Sequence, residues 1–227
     1  ALVVLSPHLD DAVLSVGAFL RRASRQGSEV TVVTVLANDP SSTAPAGEWD
    51  AACGFGSAAA GARARREEDS RACAALGARA RWFPYGDGTY GRGAGDEEIW
   101  RDIRGAVEGA DAVLVPGFPL RHPDHRWLTE LVAARRDQLD CAVGLYGEQP
   151  YAAGSLLRAR AALPASDSTP ANLPASWRRV GSSMPDRLAK LRAISHYHSQ
   201  LRRLGLAKLA AVQMEELCRR GELIGWP

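Results

Sequence analysis

Two short runs of valine and leucine constrain the fold of this 227-residue chain more than any other feature. They are Ala1 to Leu5 and Glu29 to Leu36 (EVTVVTVL). Runs of this kind suit strands buried on both faces, as in a parallel sheet covered by helices. Between them, Asp11 to Arg25 carries helical periodicity through Val13, Leu14, Val16, Leu20 and Ala23, and Gly27 ends it. The alternation continues. Helices are predicted over Arg63 to Leu76, Glu97 to Glu108 and His125 to Gln138, with strands at Arg79 to Pro84, Ala112 to Val115 and Cys141 to Tyr146. Asn38 to Gly61 and Gly86 to Gly95, rich in small residues, read as loops. Strand and helix in turn imply β-α-β units with right-handed crossovers, hence an α/β fold around a mainly parallel sheet. In such sheets ligands bind beyond the carboxyl ends of the strands.

Later residues are less regular. Ser155 to Pro174 is loop-like, Trp177 to Gly181 is a candidate strand, and Pro185 to Leu201 and Ala207 to Arg220 read as helices. No internal repeat is visible, so residues 1–227 are expected to form a single domain. A net charge of +2 makes no case for nucleic-acid binding. No apolar run reaches the roughly 18 residues of a membrane span, and a soluble, cytoplasmic protein is expected. The four cysteines, Cys53, Cys73, Cys141 and Cys218, form no C-x-x-C pair and are expected to be buried free thiols.

Two segments carry chemistry, both at predicted strand ends. Ser6-Pro7-His8-Leu9-Asp10-Asp11 follows the first strand, and His122-Pro123-Asp124-His125 follows the strand at 112–115 and its short loop. His8 and Asp11 are three apart at a helix start, so both can face one point, with Asp10 between them. Two imidazoles and a carboxylate are a common ligand set for catalytic zinc, which makes a nucleophile available at neutral pH. A further carboxylate can move protons, and a further histidine can stabilise an oxyanion. Helix capping accounts for Asp10 and Asp11 alone, but it leaves the coincidence of two such segments unexplained.

These segments resemble the signature motifs of the PIG-L/LmbE-like deacetylases, approximately P-H-P-D-D and H-P-D-H. The resemblance implies a Rossmann-like three-layer sandwich and one zinc ion per chain. It implies a hydrolase that removes an N-acyl group from an N-acetylglucosamine-type glycoside. The acceptor stays open between a thiol-cofactor glycoside, a membrane-lipid precursor, a polysaccharide fragment and a sugar on an antibiotic or other secondary metabolite. Carried over by position, the metal ligands are His8, Asp11 and His125, the general base is Asp10, and the oxyanion group is His122, with Asp124 orienting that ring. Weaker likenesses cover Arg65-Arg66-Glu67-Glu68 with Ala74-Ala75-Leu76-Gly77, Asp87-Gly88, Tyr146 to Tyr151 and the stretch from Lys190 to Gln200. They make Arg65, Arg66 and Asp87 candidate substrate contacts; Trp49, an indole in the loop at 38–61, is separately a candidate for stacking on a sugar ring. Leu9 stands where the family commonly has proline. Phe118 and Leu120 stand where some members have a tyrosine.

Two other readings compete: a metal-dependent phosphoesterase, which would want more aspartates, and a degenerate sugar-binding protein, which would need neither Asp10 nor His122. Gly86 to Gly91 fits G-x-G-x-x-G, but no helix begins at its end to receive a pyrophosphate. His196 and His198, two apart in a predicted helix, point in different directions.

Overall fold

The computed structural model describes residues 1–152, 173, 176–204 and 221–226. Among these residues one seven-stranded sheet runs in the order β3-β2-β1-β4-β5-β7-β6. Five strands, β1 (Leu2–Ser6), β2 (Val30–Thr34), β3 (Arg79–Trp82), β4 (Ala112–Phe118) and β5 (Ala142–Gly147), are parallel. Strand β7 (Glu222–Trp226) joins β5 in antiparallel fashion, and β6 (Ser176–Val180) pairs antiparallel with β7, so β7 alone runs against the others. Strand β1 is buried along its whole length, as its unbroken valine and leucine require.

Helices cover both faces. On one, α4 (Asp96–Val107) and α5 (Pro123–Ala133) place Ile99, Ile103 and Leu128 against Val3, Leu5 and Val115. On the other, α1 (Asp11–Arg25), α3 (Ala58–Leu76) and α6 (Met184–Ile194) pack Val13, Leu76 and Ile194 against Val4, Val32 and Leu114. The result is the expected Rossmann-like sandwich of three layers. No described helix is long and apolar enough to cross a membrane.

Several local expectations change. The loop at 38–61 contains a short helix, α2 (Glu48–Ala52), and α3 begins at Ala58, where the Ser57 hydroxyl accepts the Ala60 N–H at 3.2 Å. The helix expected over 185–201 breaks at Ser195–Tyr197 into α6 and α7 (His198–Leu204), so His196 and His198 do not share one helix. Strand β7 had no sequence signal of its own. Cys73 and Cys141 are buried free thiols, whereas Cys53 is half-buried. Cys218, the helix expected at 207–220 and most of the loop at 155–174 lie outside the described residues.

Helix α1 is not straight. Val16 leaves helical geometry (φ −130°, ψ 19°), which frees the next turn's backbone donors. The Glu222 carboxylate of β7 takes them, accepting Ala18 N–H at 3.0 Å and Phe19 N–H at 2.6 Å. Lys190 of α6 meets the same carboxylate at 2.6 Å. Gly17 permits this approach, because a Cβ there would lie 2.9 Å from Lys190 Cγ. The C-terminal strand thus braces the helix that begins with Asp11.

Candidate active site

A cavity of about 490 Å³ opens at the carboxyl ends of the parallel strands. It lies beside β1, where the strand order reverses between β2 and β4, which is where ligands bind in open α/β sheets. His8, Asp10 and Asp11 reach it after β1, Asn38 after β2 and Asp87 after β3. His122, Asp124 and His125 arrive after β4, and Tyr151 after β5. The two sequence segments therefore converge in one place.

One ring nitrogen from each of His8, His122 and His125 falls within 4.8 Å of the others. Asp11 Oδ2 sits 3.2 Å from His8 Nδ1 and 3.1 Å from His125 Nε2. Tetrahedral bonds of zinc to nitrogen and oxygen place their donors about 3.3 Å apart, so the spacing fits one divalent ion. The opposite nitrogens are supported from behind. His8 Nε2 lies 3.0 Å from Asp124 Oδ2, and His125 Nδ1 lies 3.1 Å from Glu148 Oε1. Imidazoles that hold metals are commonly oriented by such carboxylates.

Asp124 was expected to orient His122, but its carboxylate is 3.8 Å from His122 Nδ1 and closer to His8. Arg92 approaches its other oxygen at 3.4 Å while stacking on Trp127 at 3.9 Å. His122 uses Nδ1 to accept the Asp124 backbone N–H at 3.3 Å, capping α5. Its neutral ring therefore carries the proton on Nε2. Burial, then the neighbouring charges of His8 and His125, lower its pKa and keep it neutral.

Asp10 is buried at the start of α1 with φ 122°, a conformation that costs a non-glycine residue about 1–3 kcal/mol. Its side chain makes no capping hydrogen bond to the helix. Burial, then the charge of Asp11, push its carboxyl well above the usual range. Asp11 behaves in the opposite way. Burial alone would raise it, but His125 and then His8 hold it far below the ordinary carboxylate value.

The candidate substrate contacts separate. Trp49, 41% exposed, lines the cavity with Asp87 and Arg65. Arg65 is buried and paired with Asp50, whose other oxygen accepts the Tyr90 hydroxyl at 2.6 Å. Arg66 does not line the cavity. Its guanidinium donates to the backbone carbonyls of Ala37, Asn38 and Phe83, which makes it a brace for the loops after β2 and β3. The sequence reading assigned no role to Asn38, whose Oδ1 accepts the Asp87 N–H at 3.1 Å. It assigned none to Gln200, which donates to the carbonyl of Leu9 beside the strained Asp10. Glu148 also went unassigned. Glu148 and Gln200 lie in segments that resemble the family, at 146–151 and 190–200, but that likeness gave neither residue a role, and nothing in its local sequence marks Asn38.

In the metal-free protein, burial lowers the proton affinity of His8, yet Asp11 and Asp124 outweigh it and raise the pKa to about 9. For His125, burial again lowers it, and Asp11 with Glu148 raise it to about 10. Both rings bind protons more tightly folded than unfolded. Their stabilisation is complete below the unfolded value near 6.5 and is lost as pH rises through about 9 to 10. A metal must displace these protons, so its affinity rises with pH. Melting curves should show that the zinc-induced rise in Tm grows between about pH 6 and pH 8. A rise independent of pH would contradict this account.

Several known proteins resemble the chain in sequence and fold. None of the curated proteins compared with the chain matches it. Among solved structures, the A40926 pseudoaglycone deacetylase Dbv21 is 29% identical, with TM-score 0.79 over 100% of this chain and 96% of that one. A triple mutant of the deacetylase Orf2 of the teicoplanin pathway is 27% identical, with TM-score 0.80 over 99% and 96%. The hydratase GalB of Pseudomonas putida, 19% identical with TM-score 0.59 over 98% and 93%, shares the fold alone. The model of the PIG-L family, GlcNAc-PI de-N-acetylase, matches residues 3–135, more than half of the chain, and the chain belongs to that family.

Proposed function

We propose that this protein hydrolyses the N-acyl amide of an amino sugar carried on a larger glycoside of the glycopeptide-antibiotic type. One observation carries the reading. The Asp11 carboxylate, His8 Nδ1 and His125 Nε2 meet at metal-ligand spacing on the wall of a cavity that also holds Asp10 and His122. His8, Asp11 and His125 would hold the zinc. Bound there, the ion would polarise the amide carbonyl and acidify water. Asp10, with no helix-capping duty, takes the proton of the attacking water and delivers it to the leaving nitrogen. His122, neutral with its proton on Nε2, donates that proton in a hydrogen bond to the developing oxyanion. Asp124 holds His8, and Trp49 and Asp87 contact the sugar.

The substrate class draws support from Dbv21, an A40926 pseudoaglycone deacetylase, and Orf2, a deacetylase of the teicoplanin biosynthetic pathway, which align with nearly the whole chain. A volume of about 490 Å³ exceeds what a single sugar ring fills and lies in the range of ordinary ligand sites. The test offers the zinc-loaded protein an N-acetylglucosaminyl glycoside, the same glycoside with a longer acyl chain, and a phosphomonoester. Free amine and phosphate are then quantified. Amine release that disappears on chelation is expected. Phosphate release without amine would overturn the reading in favour of a phosphoesterase.

A further inference from the structure

Glu148 follows β5, remote in sequence from both metal-ligand segments, and is 1% exposed. A buried carboxylate is costly unless its charge is met. Here one oxygen faces His125 Nδ1 at 3.1 Å, and the other accepts the backbone N–H of Leu120 at 3.2 Å. The contact with His125 falls short of hydrogen-bond geometry: both atoms are buried, and among the described residues neither has a hydrogen-bond partner. Each is the other's charged neighbour. Leu120 stands two residues before His122 with φ 52°, a left-handed conformation that a branched side chain resists. Glu148 N–H donates to the Phe118 carbonyl at 2.6 Å, so the residue is tied to the same loop by its backbone as well.

The geometry points to Glu148 as a positioning residue for the metal centre. Its carboxylate selects the His125 tautomer with the proton on Nδ1, which leaves the Nε2 lone pair directed at the space shared with Asp11. Its second oxygen fixes the peptide at Leu120, which sets the path of the chain into His122. One buried side chain therefore aligns two of the three histidines from behind. The inference rests on the metal-site reading and is independent of which glycoside is hydrolysed.

The test uses the full chain, stripped of metal and titrated with zinc alone against a competing chelator. Glu148→Gln, nearly isosteric, should weaken zinc binding about 10–100-fold, the usual effect of losing such a partner. A residue with a purely structural role would shift the melting of the metal-free protein and leave the zinc affinity unchanged. Affinity within about twofold of the parent would overturn the proposal, since even the low end of the usual loss is larger. Failure of the parent itself to bind zinc would instead overturn the metal-site reading and this inference with it. Should the variant not fold, nitrogen NMR of the zinc-loaded parent decides the matter. His125 is expected to carry its proton on Nδ1, and a proton on Nε2 would refute the assignment.

Discussion

Replacing His125 by alanine should abolish zinc binding and amide hydrolysis together. The ring is 2% exposed and lies between two carboxylates, 3.1 Å from Asp11 Oδ2 and 3.1 Å from Glu148 Oε1. Its loss removes a metal donor and also the positive charge that compensates both acids in the metal-free state. Breaking a buried pair by removing one partner typically costs about 3–5 kcal/mol. The variant should therefore be destabilised as well as inactive. His125→Gln separates the two effects, because a polar amide fills the space and recovers part of the stability without restoring the donor set. Elemental analysis after gel filtration, thermal melting and an amine-release assay report the three consequences. A His125→Ala protein that kept one zinc and normal turnover would remove His125 from the centre.

Asp10→Asn should leave zinc bound and lower kcat by about 10²–10⁴-fold, the usual contribution of a positioned acid–base group. The expectation that the variant folds has a structural basis. The Asp10 side chain caps nothing, and asparagine is among the few residues that tolerate positive φ, here 122°. Asparagine keeps the shape but cannot take the proton of water. KM should change little, because the lost interaction belongs to the transition state. Loss of zinc from Asp10→Asn would exchange the roles given to Asp10 and Asp11.

These two residues were legible in the sequence because each sits in a short polar segment directly after an apolar strand. The topology brings such strand ends together, so His8 and His125 could be paired across more than a hundred residues. Glu148 could not be given a role in this way, although it lies in the segment from Tyr146 to Tyr151 that resembles the family. A buried glutamate facing an imidazole looks, as a letter, like any glutamate at a strand end, and its meaning depends on the His125 ring. Arg66 shows the reverse error. The family likeness drew it towards the substrate, yet its guanidinium is spent on the carbonyls of Asn38 and Phe83. Strand β7 escaped because Glu222-Leu223-Ile224-Gly225-Trp226 is brief and carries a charge that local patterning assigns to solvent. That charge is needed 204 residues away, at the kink of α1.

The position of β7 in the sheet also bears on synthesis. It lies between β5 and β6, although both precede it in the chain. As the protein leaves the ribosome, residues 142–147 can join β4, but their outer edge stays open until residues 222–226 emerge. Residues 176–180 meanwhile lack β7, their sheet neighbour among the described residues. An open strand edge is a template for pairing with other chains. A nascent chain stalled before Glu222 would therefore present an aggregation-prone edge, together with a helix α1 whose freed amides still await their acceptor.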